Sequence, residues 1–173
     1  MDTPEMTSFV IRRLTAEDAA AYQALRIESL INHPTAYTTA LEDEQKRPLS
    51  DFEARMENIL CYGGFDAAGA LRGIVCVTHS GHPKTGHAHM FWSVYVQPEM
   101  RGTGMSKALM EGIIEAARPR GGSLRLFVTA SNTAAYKLYK SVGFEEFALE
   151  KAALHHEGVY HDGLHMRLDF DPV

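Results

Sequence analysis

The stretch that most constrains the chain is Val94-Tyr95-Val96-Gln97-Pro98-Glu99-Met100-Arg101-Gly102-Thr103-Gly104-Met105-Ser106-Lys107-Ala108-Leu109. A β-branched and aromatic run ends at Gln97-Pro98. A turn with two glycines follows, and then apolar residues recur at helical spacing through Met105, Leu109, Ile113 and Ile114. A strand therefore feeds a helix through a tight turn. Glycines let backbone N–H groups converge on one point without a Cβ in the way. The first helical turn adds unpaired N–H groups and the positive end of the dipole. Such a junction suits a pyrophosphate, although a plain helix start with convenient glycines reads the same way.

Two other phosphate loops do not fit. The Walker A spacing is absent. The dinucleotide pattern GxGxxG fails because Lys107 stands where the third glycine belongs, and no βαβ unit with a ribose-binding acid follows.

The flanking pattern gives an α/β chain. Strands are expected at 9–14, 61–65, 71–78, 87–96, 123–129, 144–154 and 159–170. Helices are expected after Thr15, which with Asp18 forms a capping pair, from Ser50 to about Leu60, from Gly102 or Thr103 to Arg118, and from Ser131 or Asn132 to about Ser141. Residues 35–48 read as a polar connection with a short helical stretch. The alternation implies a single domain over residues 1–173 with a mixed sheet.

Composition narrows the function classes. Lys and Arg number 17 against 22 Asp and Glu, a net charge of -5. That balance argues against nucleic-acid binding, which needs clustered positive charge. It is compatible with an amine partner, though solubility alone accounts for it. Cys61 and Cys76 lie in apolar runs without metal spacing and read as buried, reduced thiols. No signal peptide or membrane span is visible, so the expected location is cytoplasmic.

A second segment makes the reading specific. Asn132-Thr133-Ala134-Ala135-Tyr136-Lys137-Leu138-Tyr139-Lys140-Ser141-Val142-Gly143-Phe144 resembles motif B of the GNAT superfamily of N-acetyltransferases, Asn-x-x-Ala-x-x-Leu-Tyr-x-x-x-Gly-Phe. Arg101-Gly102-Thr103-Gly104-Met105-Ser106 resembles its motif A, Gln/Arg-x-x-Gly-x-Gly/Ala, and departs only at Ser106. The resemblance implies one mixed, mostly antiparallel sheet of six to seven strands, about four helices, and central strands that splay apart. It implies acetyl-CoA as acetyl donor, with backbone N–H groups of Gly102, Thr103, Gly104, Met105, Ser106 and Lys107 on the pyrophosphate. Val94, Tyr95 and Val96 would lie along the pantetheine arm. Asn132 would bond the cofactor, or cap its helix, or do both. Tyr139 matches the tyrosine that protonates the CoA sulfur; its bland alternative is a packed aromatic beside Tyr136. The fold often forms homodimers.

The base and the acceptor stay open. Ribosomal-protein N-acetyltransferases carry a glutamate five residues before the motif-B asparagine, and this chain has Phe127 there. Glu28, His87, His89, Ser93 and Tyr95 are the remaining candidates, and a water-mediated route needs no dedicated base. Acceptor-lining candidates are Arg26, Glu28, Ser29, Tyr37, Trp92, Ser93, His156, Tyr160 and His161. His155, His156, His161 and His165 cluster in sequence, but strand alternation puts only His161 and His165 on one face, so no metal is expected. The reading is acetyl transfer from acetyl-CoA to a primary amine of a small molecule. The alternatives are a protein N-terminus or lysine, or a non-catalytic acyl-CoA sensor.

Overall fold

The computed structural model describes residues 8–170. Seven strands form one sheet: β1 (Phe9–Arg13), β2 (Leu60–Asp66), β3 (Leu71–His79), β4 (Ala88–Val96), β5 (Ser123–Thr129), β6 (Glu145–His156) and β7 (Val159–Asp169). Their order across the sheet is β1-β2-β3-β4-β5-β7-β6. Every neighbouring pair is antiparallel except β4 and β5. Five α-helices accompany the sheet: α1 (Ala19–Asn32), α2 (Leu41–Gln45), α3 (Leu49–Asn58), α4 (Met105–Ala117) and α5 (Thr133–Ser141). The fifth, against about four expected, is the short α2 inside the polar connection. It forms around Glu44, whose buried carboxylate gathers arginines from three elements.

Each helix has a local cause. The Thr15 N–H donates to the Asp18 carboxylate at 2.9 Å and opens the turn that leads into α1. Asn132 caps α5 by accepting from the Ala135 N–H at 3.2 Å, and Gly143 follows the helix at φ 102°, where a Cβ would be strained. α4 starts at Met105, two or three residues later than the sequence suggests, because Gly102 and Gly104 adopt φ 76° and 91° and cannot be helical. α3 ends at Asn58, so Leu60 belongs to β2.

The sheet carries a core on each face. Leu109, Ile113 and Met110 of α4 pack with Val75 and Val77 on one side, while Tyr22 and Leu25 of α1 and Phe52 of α3 pack with Ile74 and Cys76 on the other. Full burial of such side chains stabilises by roughly 1.5–3 kcal/mol each. Truncating Leu109 to alanine would cost about 2–5 kcal/mol. Cys61 and Cys76 are both buried and free, opposite one another in the β2–β3 register.

Strand β4 breaks its own alternation. Phe91 packs in the α4 core, Trp92 against the α1 core, and then Val94 and Val96 rejoin the α4 side while Tyr95 faces α1. Ser93 is the extra residue. It sits at φ 60°, unusual for a side chain with a Cβ, and the β3–β4 register shifts there. The Ser93 hydroxyl lies 3.1 Å from the Tyr22 hydroxyl, which helps hold this bulge. The consequence is geometric. β4 and β5 pair only from Ala88–Met90 to Ser123–Arg125, and beyond that they part. This is the splay the resemblance implies.

Candidate active site

The open end of the β4–β5 notch leads into two adjoining cavities. A cleft of about 460 Å³ is lined by Val94, Tyr95, Val96, Arg101, Ser106 and Asn132, among others. An inner cavity of about 550 Å³ lies beside it, with Arg26, Trp92, Ser93, Glu150 and His165 in its walls. Ala36, Tyr37, Val94, Phe127 and Tyr139 line both. The two spaces therefore meet at Tyr139 and the β4 backbone.

At the mouth of the cleft, the glycine turn shows why its residues are there. A Cβ on Gly102 or Gly104 would meet nothing within 4 Å, so both are glycine for their positive φ and not for space. Thr103 Oγ1 donates to the Met100 carbonyl at 2.7 Å and fixes the loop. Met105 sends its side chain into the core at 0% exposure, so only its backbone is at the helix start. Lys107 is exposed, 3.7 Å from Glu111. Of the predicted phosphate segment, Arg101 and Ser106 line the cleft directly.

Along the open edge of β4 the carbonyl groups are held by side chains instead of β5. Tyr37 donates to the Val94 carbonyl at 2.8 Å, and Arg101 Nε donates to the Val96 carbonyl at 3.1 Å. Burial pushes the Tyr37 hydroxyl up to about 12, so it is a fixed donor at neutral pH. Asn132 uses its carbonyl oxygen as helix cap and lines the cleft as well, which leaves its amide N–H groups for a ligand.

Tyr139 is 7% exposed, and burial, with a smaller contribution from Tyr37, raises its pKa. Among the described residues nothing hydrogen-bonds its hydroxyl. It packs edge-on to Phe91 and Phe144, with ring centroids at 6.4 and 6.1 Å. Tyr139 is thus both a packed aromatic and a protonated phenol facing two cavities.

Several predicted residues lie elsewhere. The Glu28 carboxylate accepts from the Tyr95 hydroxyl and from Gln97 Nε2, each at 2.8 Å, and lines neither cavity. These bonds tie α1 to the end of β4, which corrects Glu28 from an acceptor-lining acid to a brace. Tyr160 is 68% exposed and lies against the His155 ring on the outer hairpin, so it too is outside both cavities. His89 is turned toward His79, with Nδ1 atoms 2.8 Å apart, at the closed base of the notch, and His87 is exposed there. Trp92 and Ser93 do line the inner cavity, and Trp92 Nε1 donates to Thr78 Oγ1 at 2.7 Å.

The structure also assembles a pair that the sequence reading did not single out. His165 Nε2 lies 2.8 Å from Glu150 Oε2, and both line the inner cavity. They are fifteen residues apart and meet only because β6 and β7 pair. Phe127 packs on the His165 ring, with centroids 5.6 Å apart. Gly163 makes room for it, since a Cβ there would lie 1.9 Å from the Phe127 ring. The only advance sign was His165 itself, grouped in sequence with His155, His156 and His161 on the hairpin whose Tyr160 and His161 were read as acceptor-lining. Among the described residues no three His, Cys, Asp or Glu side chains gather as metal ligands, and no helix is long and apolar enough to cross a membrane.

Comparison with known proteins agrees with this geometry. The model of the acetyltransferase (GNAT) family matches residues 22–144. A mycothiol acetyltransferase from Thermobispora bispora is 31% identical over 139 residues, covering 77% of this chain and 45% of that protein. One from Renibacterium salmoninarum is 29% identical over 142 residues, covering 74% of this chain and 38% of that protein. The chain thus spans less than half the length of these relatives. Among solved structures, a GNAT-family acetyltransferase from Streptococcus pneumoniae superposes with TM-score 0.82 at 22% identity, over 94% of this chain and 99% of that one. A Salmonella typhimurium structure with its cofactor acetyl-CoA gives 0.79 at 22% identity, over 96% of each chain. With the family model covering most of its length and the notch and both motifs in place, the chain belongs to the GNAT acetyltransferase family.

Proposed function

We propose that the protein transfers an acetyl group from acetyl-CoA to a primary amine of a small molecule, by direct attack of the amine on the thioester. The observation that carries this is the junction of the cleft and the inner cavity at Tyr139 and Val94. One space suits a long phosphorylated donor and the other a small acceptor, and they meet beside a phenol and an open strand edge.

Each residue then has a task. The glycine turn and the first N–H groups of α4 hold the pyrophosphate. The open edge of β4 from Val94 to Val96 aligns the pantetheine arm, and Asn132 donates its amide to it. Bound there, acetyl-CoA supplies an activated acyl group on sulfur. His165, steadied by Glu150, takes a proton from the acceptor ammonium so that a neutral amine attacks. As the C–N bond forms the nitrogen gives up its second proton to solvent, and as the C–S bond breaks CoA leaves as a thiolate, at which Tyr139 directs its O–H. Because burial raises Tyr139 above a free phenol, full proton transfer to a thiolate is uphill, and the hydrogen bond itself provides the stabilisation.

Residues 38–42 and 153–157 face each other across a third cavity of about 550 Å³ beside the acceptor space. Segments flanking this space on two sides favour a small acceptor over a peptide laid in an open groove. The test is thiol release from acetyl-CoA against polyamines, aminoglycosides, amino acids and peptides, with calorimetry of CoA binding. Turnover with small amines is expected. Failure to bind CoA would overturn the reading, and binding without turnover would leave a sensor.

A further inference from the structure

Arg26 stands on α1 at 1% exposure, yet it lines the inner cavity. Its Nε and Nη1 are buried without a hydrogen-bond partner. Glu44 is nearby, with Nε to Oε1 at 3.5 Å. That carboxylate is already held by Arg55 at 2.7 Å and Arg47 at 3.3 Å. Burial pushes the Glu44 carboxyl up, but the Arg55 hydrogen bond and the charges of Arg55, Arg26 and Arg47 together hold it below its ordinary value. Glu44 is shared among three arginines, and Arg26 holds the longest of the three contacts, an ion pair without a hydrogen bond. Buried charges are normally hydrogen-bonded as well as paired, so a guanidinium in a cavity wall that makes one long ion pair and leaves donors unused suits a second anion.

The surroundings fit that demand. The Tyr37 and Trp92 rings lie 4.9 and 5.7 Å from the guanidinium carbon, contacts that steady it and leave its N–H donors in place. Thr78 Oγ1 accepts from Trp92 Nε1, so its own proton is available in the same cavity. The Glu150–His165 pair contributes to the lining from β6 and β7 and offers a place for a cation. The cavity thus presents donors from α1 and β3 and a carboxylate–imidazole pair from the hairpin.

We propose that the acceptor is an amine that also carries a carboxylate, of the amino-acid class, with Arg26 binding the carboxylate and the amine facing Val94 and His165. This rests on the transfer reading above. Tyr37 spans the two ends: its ring lies by Arg26 and its hydroxyl on the Val94 carbonyl. One tyrosine side chain thus links the two recognition points. A planar guanidinium binds a carboxylate through two parallel N–H bonds, which fixes orientation as well as charge. A neutral amine offers the unused Arg26 donors no acceptor, and a polyamine places a second cation beside the guanidinium, so both are disfavoured.

The experiment measures thiol release from acetyl-CoA with the common L-amino acids, each beside its own amide and its decarboxylated amine. The acids should exceed both controls by roughly 100-fold in kcat/KM. In Arg26→Gln the KM for the acid should rise by a similar factor, with kcat changed far less, and the acid-over-amide preference should collapse. Arg26→Lys should recover part of it. If Arg26→Gln does not fold, as judged by circular dichroism, the acid–amide comparison in the unaltered protein decides. If nothing turns over, calorimetric titration of the acids and amides into CoA-saturated protein decides, and no acid binding better than its amide overturns the proposal. Equal rates with acids and amides overturn the carboxylate assignment and leave acetyl transfer standing. Failure to bind CoA overturns transfer itself, and the proposal with it.

Discussion

The Tyr37 hydroxyl donates to the Val94 carbonyl at 2.8 Å, and this one bond sits where the cleft and the inner cavity join. A carbonyl on an open strand edge, which would otherwise lack a protein partner, is satisfied by a side chain from a loop 57 residues away. Tyr37→Phe removes the bond and keeps the ring beside Arg26. Stability should fall by about 1 kcal/mol in denaturant unfolding. The KM for acetyl-CoA should change several-fold and the acceptor KM much less. The reverse pattern would mean that the hydroxyl serves the acceptor.

Tyr139→Phe keeps the edge-on packing with Phe91 and Phe144 and removes only the phenol proton. Turnover should fall by roughly 100-fold, with CoA binding by calorimetry largely intact. Unchanged turnover would reduce Tyr139 to a packing residue.

His165→Asn removes the proposed proton acceptor from the inner cavity and spares the strand. At neutral pH kcat/KM should drop by roughly 100-fold, and the loss should shrink as pH rises and more of the amine arrives neutral. A deficit constant across pH would argue that His165 only shapes the wall.

The His79–His89 pair predicts a pH-dependent stability. His89 Nε2 lies 3.2 Å from the Gly121 carbonyl, which can only accept, so that nitrogen carries the proton. The bare His89 Nδ1 then accepts from His79 Nδ1, and His79 Nε2 is buried without a partner. Both rings are neutral. Burial, then the charges of Arg120 and His89, hold His79 down to about 4, and burial also lowers His89. An unfolded histidine titrates near 6.5, so the unfolded chain binds protons first as pH falls. The contribution is complete above about pH 6.5 and is lost as pH drops from about 6.5 through about 4. After allowance for solvent screening, unfolding free energies from urea titrations at pH 7 and pH 5 should differ by on the order of 1 kcal/mol. His79→Asn should flatten that slope, and an unaltered slope would place the protons elsewhere.

Gly163→Ala should damage the site without touching a proposed catalytic group. A Cβ would stand 1.9 Å from the Phe127 ring, which lines both cavities. The ring must move into them, costing about 1–3 kcal/mol of stability and raising both KM values. A crystal structure of the variant with Phe127 unmoved would refute this.

Local sequence determined a great deal. The β5 boundaries were legible to the residue, because Ser123–Thr129 alternates and is bounded by Gly121-Gly122 and by the Asn132 cap. The glycine turn, the α5 cap and the motif-B tyrosine were readable because each depends on neighbours within a few positions. The bulge at Ser93 was not, since serine at positive φ has no local signature and is imposed by pairing with β3 and contact with Tyr22. Glu28 read as an acceptor-lining acid from its place on α1, but only the packing of α1 on β4 shows its carboxylate engaged by Tyr95 and Gln97.

By itself, then, the sequence determined that a strand would feed a helix through a glycine turn, followed by a capped helix bearing Tyr139, because backbone preference and helix capping act over a few residues. The tertiary structure alone decided what lines the inner cavity. Arg26, Tyr37, Glu150 and His165 come from opposite ends of the chain, and their meeting depends on sheet order, hairpin register and the splay of β4 from β5. Those are long-range pairings, and a bulge of one residue is enough to change which side chains share a cavity.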